Sequence, residues 1–424
     1  MTSWVGTSVT TFATVDQIKR LQDDQRVKTI YDDVADRFSW ADSTASGETT
    51  SWGHQAVNGQ VRTVSNNRKV YIIDSGVAEH YDLTSLAPGL NVACGAYNCN
   101  ASNPSTYPLV GCYAHATHVA GIIGAQSGNG LGTNGVYAGA NMVSLSVLSR
   151  TGSDMCANYS GDPQNTPGSP VYRSRVGNAF DYIYWDTLYN NSSQLVNVVN
   201  ISINSAGLSI DSGGPQVNWA RVQKVATPAL ESVYVGCPPP QNDCTYEESH
   251  QDYYFAGAFV AQSAGNNDSQ LTCYGYYSLT NFGAASRHYI PYAISDEFTY
   301  TDVDDGIMVV GAVNIDGARP SPFFSSSVPS VADTDPGSNF GVCVDIVAPG
   351  NTVYSTWGAL SGNTVVGTSY SNIASVGGTS MAAPHVAAAA AYYADTYNLT
   401  TPAAIEQAIR ANVNLGFSNA VKLQ

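Results

Sequence analysis

The most informative segment of this chain is GGTSMAAPHVA, residues 377–387. Two glycines and a threonine lead to Ser380, and the apolar, alanine-rich run that follows predicts a buried helix. A serine in the first turn of a helix lies beside unpaired backbone N–H groups and the positive end of the helix dipole. That environment suits a nucleophile, because an oxyanion formed there is stabilised. Serine is also a common N-cap, so the partners of a nucleophile must be sought elsewhere in the chain.

A nucleophilic serine needs a base, and the base needs a carboxylate that orients it. The apolar run VYIID ends at Asp74 and is followed by Ser75 and Gly76, which predicts a buried parallel strand with a carboxylate at its C-terminal edge. Aspartate is also frequent in ordinary turns. His115 and His118 lie in HATHVAGIIGA, which has a helical pattern. We expect His115, at the helix start, to face Asp74, and His118 to be a core histidine.

The order Asp74, His115, Ser380, with these flanking residues, resembles the subtilisin-like serine proteases, the subtilase family. The resemblance rests on three blocks, VYIIDSGV, HATHVAGIIG and GGTSMAAPHVA, and extends from about Ser51 to about Val413. It implies a three-layer α/β fold with a doubly wound parallel sheet. It also implies a serine endopeptidase that works through an acyl-enzyme intermediate.

The resemblance assigns a role to each of four residues. Ser380 is the nucleophile, His115 is the general base and then the general acid, and Asp74 holds the imidazole. A fourth block, VAQSAGNN, places Asn266 where the family keeps the side-chain amide of its oxyanion hole. Two competing functions are a transpeptidase or macrocyclase on the same scaffold and a binding module without turnover.

Composition narrows the class of protein. The chain has 424 residues, a formal net charge of −16 and only 12% charged residues, so it offers no basic stripe for a nucleic acid. No apolar run reaches the roughly 18 residues that a membrane span needs. The N-terminal residues MTSWVGTSV have neither the basic start nor the apolar core of a signal peptide. We expect a secreted protein with polypeptide substrates, no nucleic-acid partner and no membrane span.

Apolar runs that alternate with helical patterns predict a doubly wound parallel sheet. The predicted strands cover residues 69–74, 142–147, 196–202, 255–263, 307–313 and 344–347. The predicted helices cover residues 114–126, 173–190, 215–233, 379–397 and 402–411. The catalytic domain is expected to span residues 47–424, with loop insertions.

Residues 1–46 are expected to form a segment separate from the catalytic domain. An amphipathic helix over 15–24 and a short strand over 27–31 resemble the second half of the inhibitory propeptide of subtilases. An unrelated helix packed on the catalytic domain is the alternative. The resemblance places the maturation cleavage in the connector 35–47 and implies that the propeptide is an intramolecular inhibitor.

The eight cysteines form no CxxC pair, so a metal or redox role is disfavoured and an oxidising compartment is expected. Cysteines in the contexts of Cys273 and Cys343 are bonded to each other in subtilases of the proteinase K and aqualysin type. The same resemblance pairs Cys112 with Cys156. It leaves Cys94–Cys99 and Cys237–Cys244 as local links.

A calcium site is suggested by the glycine-rich loop SGNGLGTNG, residues 127–135, because Ca²⁺ binds carbonyl and carboxylate oxygens. An ordinary surface loop of glycine and asparagine is the alternative. The loop resembles the calcium loop of the family, which implies a structural Ca²⁺. The implied ligands are Glu48, Asp82, Ser127, Asn129, Leu131 and Thr133.

Two segments are expected to flank an extended peptide substrate through main-chain hydrogen bonds. By resemblance they are Ser202-Ile203-Asn204 on one side and Gly152-Ser153, with residue 154, on the other. Asn204 and Ala116 stand where the family has glycine. Asn204 adds a side chain where the substrate backbone comes close, and we expect these changes to narrow specificity or to alter helix packing without abolishing catalysis.

Overall fold

The computed structural model describes a large part of the chain. The described residues are 3–5, 8–10, 35–36, 48–78, 80–92, 114–147, 171–190, 195–204, 216–234, 250–272, 304–323, 336–361, 364–366, 373–414 and 420–421. Within these ranges, no helix is both long enough and apolar enough to cross a membrane.

The strands are numbered in chain order. They are β1 (Ser3–Val5), β2 (Ser8–Thr10), β3 (Ala35–Asp36), β4 (Gln60–Val61), β5 (Val70–Asp74), β6 (Leu86–Asn91), β7 (Tyr137–Ala138), β8 (Met142–Ser146), β9 (Val171–Tyr172), β10 (Asn197–Ile201), β11 (Ala229–Tyr234), β12 (His250–Phe255), β13 (Ala258–Ser263), β14 (Ile307–Val313), β15 (Ile346–Pro349), β16 (Val353–Thr356), β17 (Ala359–Ser361), β18 (Thr364–Val366), β19 (Ile373–Val376), β20 (Val413–Asn414) and β21 (Ala420–Val421). The helices are α1 (Trp52–Val57), α2 (Ala114–Gly124), α3 (Arg173–Asn190), α4 (Gln216–Ala226), α5 (Thr379–Thr396) and α6 (Pro402–Ala411).

A nine-stranded sheet in the order β6-β8-β5-β10-β13-β14-β15-β21-β20 forms the centre of the fold. All neighbours are parallel except β20 and β21 at one end. Every residue of β5, β10, β13 and β14 is buried, as expected for parallel strands covered on both faces. Helix α5 packs against β10, β13, β14 and β15 and against α2. The architecture is the predicted α/β three-layer fold.

Helix α5 is buried almost all round because its sequence is apolar on every face. Ala382, Ala383 and the run 387–391 are at most 2% exposed. Small side chains let the helix lie close to the strands and to α2. This packing places the first turn of α5, which contains Ser380, beside the C-terminal ends of the parallel strands, where ligands bind in doubly wound sheets.

The predicted elements are largely confirmed, with three corrections. The helix expected over 215–233 ends at Ala226, because Pro228 cannot continue it, and β11 then pairs antiparallel with β12. The strand expected over 255–263 is interrupted at Gly257, which has a φ of +81°. The strand expected over 344–347 lies at Ile346–Pro349.

The N-terminal predictions concern residues that are mostly outside the described ranges. The helix over 15–24 and the strand over 27–31 belong to this group. In the connector, β3 pairs antiparallel with β9, just before α3.

Candidate active site

Asp74 and His115 are joined at the carboxyl edge of the central sheet. Asp74 ends β5, His115 is the second residue of α2, and both residues are fully buried. The Nδ1 atom of His115 lies 2.7 Å from Oδ1 of Asp74. Because a carboxylate only accepts hydrogen bonds, Nδ1 carries the hydrogen and Nε2 is the basic nitrogen. The N–H of Ser75 also donates to this Oδ1, at 2.6 Å, and so helps to orient the carboxylate.

Ser380 is the second residue of α5 and is partly exposed. Gly378, two residues before Ser380, has a φ of +153°, which side chains rarely allow, and a Cβ there would lie 3.2 Å from Nδ2 of Asn266. The Ser380 hydroxyl donates to the carbonyl oxygen of Ser202 at 2.8 Å. In this conformation its hydrogen therefore points to Ser202 and not to His115.

The side-chain amide of Asn266 is oriented by Thr379. Its Oδ1 accepts hydrogen bonds from the backbone N–H of Thr379 at 2.9 Å and from the Thr379 hydroxyl at 2.8 Å. Two donors at this atom identify it as the oxygen, because an amide nitrogen could not accept them. The nitrogen Nδ2 consequently lies on the side of Gly378. The amide thus turns its donor toward the first turn of α5.

The predicted substrate edge 202–204 continues β10 toward Ser380. The carbonyl of Ile203 accepts from Nε2 of Gln262 at 2.8 Å. The Nδ2 of Asn204 donates to the hydroxyl of Ser263 at 3.1 Å. Because β10 and β13 are parallel neighbours, this bond bridges the segments that leave their C-terminal ends. The opposite edge, with Gly152 and Ser153, lies outside the described residues.

Two further histidines have structural contacts. His118 is fully buried, its Nε2 lies 3.1 Å from the carbonyl oxygen of Val353, and its ring meets Trp357 edge-on, so the prediction of a core histidine is confirmed. Burial lowers the pKa of His385 to about 4. Ala116, which we expect to stand where the family has glycine, is fully buried, and its N–H donates to the Ser75 hydroxyl at 3.3 Å.

The predicted calcium ligands lie around the loop 127–133. Asp82 accepts from Nδ2 of Asn129 at 2.7 Å and from the N–H of Thr133 at 2.8 Å. Glu48 accepts from the N–H groups of Gly128 at 3.3 Å and Gly130 at 3.0 Å. The loop therefore gathers both predicted carboxylates.

The glycines of this loop make the close approach possible. Gly128, Gly130 and Gly132 have φ values of +78°, +72° and +54°. A Cβ on Gly132 would lie 2.3 Å from Oδ2 of Asp82. Burial raises the pKa of Asp82 to about 6, and the charge of Glu48 adds to the rise.

The remaining predicted calcium ligands lie on the loop with the following contacts. Asn129 presents its amide nitrogen to Asp82, while its oxygen accepts from the N–H of Leu131 at 2.8 Å. Ser127 and Leu131 lie on the same loop and are partly exposed. The described part of the chain contains no cluster of three or more His, Cys, Asp and Glu side chains that could hold a metal.

Cys343 is disulfide-bonded and fully buried beside Ala264, Leu271 and Val309. Its predicted partner Cys273 lies outside the described residues. The same is true of the other cysteines in the predicted pairs, which are Cys112, Cys156, Cys94, Cys99, Cys237 and Cys244.

Sequence reasoning missed the residues that support this site. Thr379 could have been suspected from its place directly before Ser380. Asn339 accepts from the N–H groups of Asn267 at 3.1 Å and Ser269 at 2.9 Å, and so it fixes the loop that carries Asn266. No local pattern in the sequence signals that contact, because Asn339 is distant along the chain.

Comparisons with known proteins agree with this geometry. Residues 65–423 match the model of the subtilase family. The chain belongs to the subtilase family. As a member of this family it is a subtilisin-like serine endopeptidase, a hydrolase of peptide bonds.

Individual relatives are distant. The chain is 26% identical over 397 residues to the thermostable alkaline protease of Halalkalibacterium halodurans, covering 93% of this chain and 74% of that protein. It is also 26% identical over 354 residues to subtilisin DY of Bacillus licheniformis, covering 83% of this chain and 86% of the other. Among solved structures, the S41 psychrophilic protease aligns with a TM-score of 0.53 and 18% identity, over 90% of this chain and 100% of that one. That likeness concerns the fold.

Proposed function

We propose that this subtilase is a secreted serine endopeptidase in which Ser380, His115 and Asp74 form the catalytic triad. The observation that carries the proposal is the 2.7 Å contact between Nδ1 of His115 and Asp74, because it leaves Nε2 as the base. The Asn266 amide, held by Thr379, supplies one donor of the oxyanion hole. The backbone N–H of Ser380 supplies the other.

Catalysis begins with a turn of the Ser380 hydroxyl away from the Ser202 carbonyl. The N–H of a bound peptide competes for this carbonyl and so releases the hydroxyl toward Nε2 of His115. The imidazole then takes the proton as Oγ attacks the scissile carbonyl carbon. Apo enzymes often hold such groups in looser arrangements than the substrate complex does.

The tetrahedral intermediate carries its negative charge on the former carbonyl oxygen. Nδ2 of Asn266 and the N–H of Ser380 donate to that oxygen. The imidazolium of His115, stabilised by Asp74, protonates the leaving amine, and the carbon–nitrogen bond breaks to leave an acyl ester on Ser380. Water then attacks this ester with His115 as base, and the acid product leaves.

The loop 127–133 is proposed to hold a structural Ca²⁺. The loop brings the buried carboxylate of Asp82 and the half-buried carboxylate of Glu48 to one place, and oxygen donors are what Ca²⁺ prefers. Asp82 and Glu48 would supply the charge. The ion would link the segment before α1 to the loop, where Thr49 N–H already donates to the carbonyl of Gly132 at 2.8 Å.

Secretion is proposed on the chemistry of Cys343. A buried disulfide persists in an oxidising compartment and is rare in the cytosol. An acidic chain with few charged residues is consistent with an extracellular enzyme. The chain's own N-terminal segment is proposed as its inhibitor before maturation.

The function is tested by incubating a denatured protein substrate with the wild-type chain and with the matched variants S380A and D74N. We expect cleavage by the wild type, a loss of about 10⁶-fold in kcat for S380A and about 10⁴-fold for D74N. Product masses should show the addition of water. Ligated or cyclic products would favour the transpeptidase, and equal activity of S380A would refute the triad.

Calcium is tested on the S380A protein, which cannot digest itself. We expect a chelator to lower the melting temperature and added Ca²⁺ to restore it, because an ion bound only by the folded state stabilises that state. D82N should remove most of this response. A melting temperature that is indifferent to both treatments would exclude the ion.

A further inference from the structure

The first turn of α5 leaves one backbone acceptor without its usual donor. In an α-helix the carbonyl of residue i accepts from the N–H of residue i+4. For Ser380 that residue is Pro384, which lies inside α5 and has no N–H. A backbone carbonyl that loses its partner away from water is unfavourable, and this carbonyl belongs to the proposed nucleophile, which is only partly exposed.

The hydroxyl of Ser202 takes the place of the missing N–H. Its Oγ donates to the carbonyl oxygen of Ser380 at 2.8 Å. Ser202 is 1% exposed, so solvent does not compete for the bond. The contact ties the end of β10 to the residue on which the chemistry depends.

Asn200 sets the direction of this hydrogen bond. Its Nδ2 donates to Oγ of Ser202 at 3.0 Å, and its side chain is fully buried. Because the Ser202 oxygen accepts from Asn200, its own hydrogen remains available for Ser380. The chain Asn200–Ser202–Ser380 therefore runs from the sheet to the first turn of α5.

We propose that Ser202 is a positioning residue for Ser380, and that its hydroxyl is needed there because Pro384 cannot donate. The proposal rests on the proposed function. The carbonyl, the Oγ and the N–H of Ser380 share one residue, so holding the carbonyl fixes both the attacking atom and an oxyanion donor. The role belongs to the side chain of Ser202, and it is separate from the substrate contact expected of its backbone.

A double-mutant cycle between Ser202 and Pro384 tests this role. In the parent chain, S202A should lower kcat about tenfold and change KM less than about twofold, because the backbone edge is kept. In a P384A chain, residue 384 regains an N–H for the Ser380 carbonyl. In that P384A chain, S202A should lower kcat by less than about threefold. Any other effect of P384A cancels, because it is present both with and without S202A.

S355A is a matched control for the loss of a buried hydroxyl. Ser355 is fully buried and donates to the carbonyl of His118 in α2 at 2.6 Å, but there the residue at i+4, Ile122, has its own N–H. We expect S355A to change kcat less than about twofold and to show no coupling with P384A. If S202A does not fold, N200D serves, because a carboxylate draws the Ser202 hydrogen away from Ser380 and P384A should again relieve the loss.

The outcomes separate the two levels of the proposal. A wild-type chain that does not cleave peptides and whose Ser380 is not modified by a phosphonylating reagent refutes the proposed function. An active wild type in which S202A leaves kcat unchanged, or loses the same factor in the parent chain and in the P384A chain, overturns the positioning role alone.

Discussion

Thr379 holds Asn266 through two hydrogen bonds to the same oxygen, from its backbone N–H at 2.9 Å and from its hydroxyl at 2.8 Å. The hydroxyl also accepts from the N–H of Gly265 at 2.9 Å. The residue before the proposed nucleophile thus orients the amide that we propose as an oxyanion donor. Such prearranged donors need no reorganisation during the reaction.

The first prediction concerns this pair. N266A should lower kcat about 10²- to 10³-fold with little change in KM, because the lost donor acts in the transition state. T379V keeps the shape and the backbone bond but removes the hydroxyl, so we expect a smaller loss of about tenfold. T379S keeps the hydroxyl and is the control. Equal kcat values for T379V and T379S would show that the hydroxyl does not orient Asn266.

The second prediction concerns specificity. The Asn204 side chain spans the gap between the ends of β10 and β13 by its bond to Ser263, where we expect the residue before the scissile bond to enter. We compare two peptides that have Phe or Ala before the scissile bond. N204G should raise the ratio of their kcat/KM values, Phe over Ala, by at least about tenfold. S263A removes only the hydrogen-bond partner of Asn204 and should raise this ratio less than N204G does. An unchanged Phe-to-Ala ratio in N204G would contradict this role.

The third prediction concerns a buried ion pair that joins the end of α5 to the start of β5. Oδ1 of Asp395 lies 2.6 Å from Nε of Arg68, and both side chains are 2% exposed. Tyr137 donates to the other carboxylate oxygen at 2.9 Å. D395N leaves the guanidinium buried without its counter-charge and should lower the free energy of unfolding by about 3–5 kcal/mol.

The control for that measurement is an exposed pair. Asp268 pairs with Arg319, and their side chains are 32% and 38% exposed. D268N should lower the free energy of unfolding far less than D395N does, because water screens the charges of an exposed pair. Denaturant unfolding of both variants in the S380A background gives the comparison, and similar losses would contradict the account of the buried pair.

The fourth prediction concerns pH. Burial raises the pKa of Glu406 to about 8, and the charges of Asp305 and Asp345 add to the rise while Arg410 opposes it. The folded state therefore binds this proton more tightly than the unfolded state, whose pKa is about 4.5. The stabilisation is complete below about pH 4.5 and is lost as the pH rises toward about 8.

E406Q should flatten this part of the stability curve. Its amide oxygen can still accept from the N–H of Gly306, which donates to Glu406 at 2.8 Å. We expect the difference in unfolding free energy between E406Q and its parent to change steadily from about pH 4.5 to about pH 8. D316N, at an exposed turn, is the control, and a constant difference for E406Q would refute the shifted pKa.

Much of the fold was predictable because the buried strands have distinctive patterns. The runs at β5 and β14 are apolar without interruption, and each ends where the structure ends it, at Asp74 and Val313. Helix α6 was also placed correctly, since Thr401 and Pro402 mark its start. Pro228 indicates that α4 ends before it. The expected helix, which extends to residue 233, does not take this proline into account.

The supporting contacts of the site could not be predicted in the same way. Strand alternation predicts only that Asn200 and Ser202 are buried polar residues. The hydrogen bond from Ser202 to Ser380 joins segments 178 residues apart. The sequence does indicate that the Ser380 carbonyl needs another donor, because Pro384 lies four residues after Ser380. Which residue supplies that donor depends on where the end of β10 lies along α5. The local sequence does not encode this placement.

The most direct test of the account is the reaction of Ser380 with a serine-directed phosphonylating reagent, followed by peptide mass mapping of the folded, matured chain. We predict one adduct, on the peptide that contains Ser380, formed far more slowly in D74N and absent from S380A. Correctly folded protein that carries no adduct, or carries it on another serine while still cleaving peptides, would contradict the proposed nucleophile.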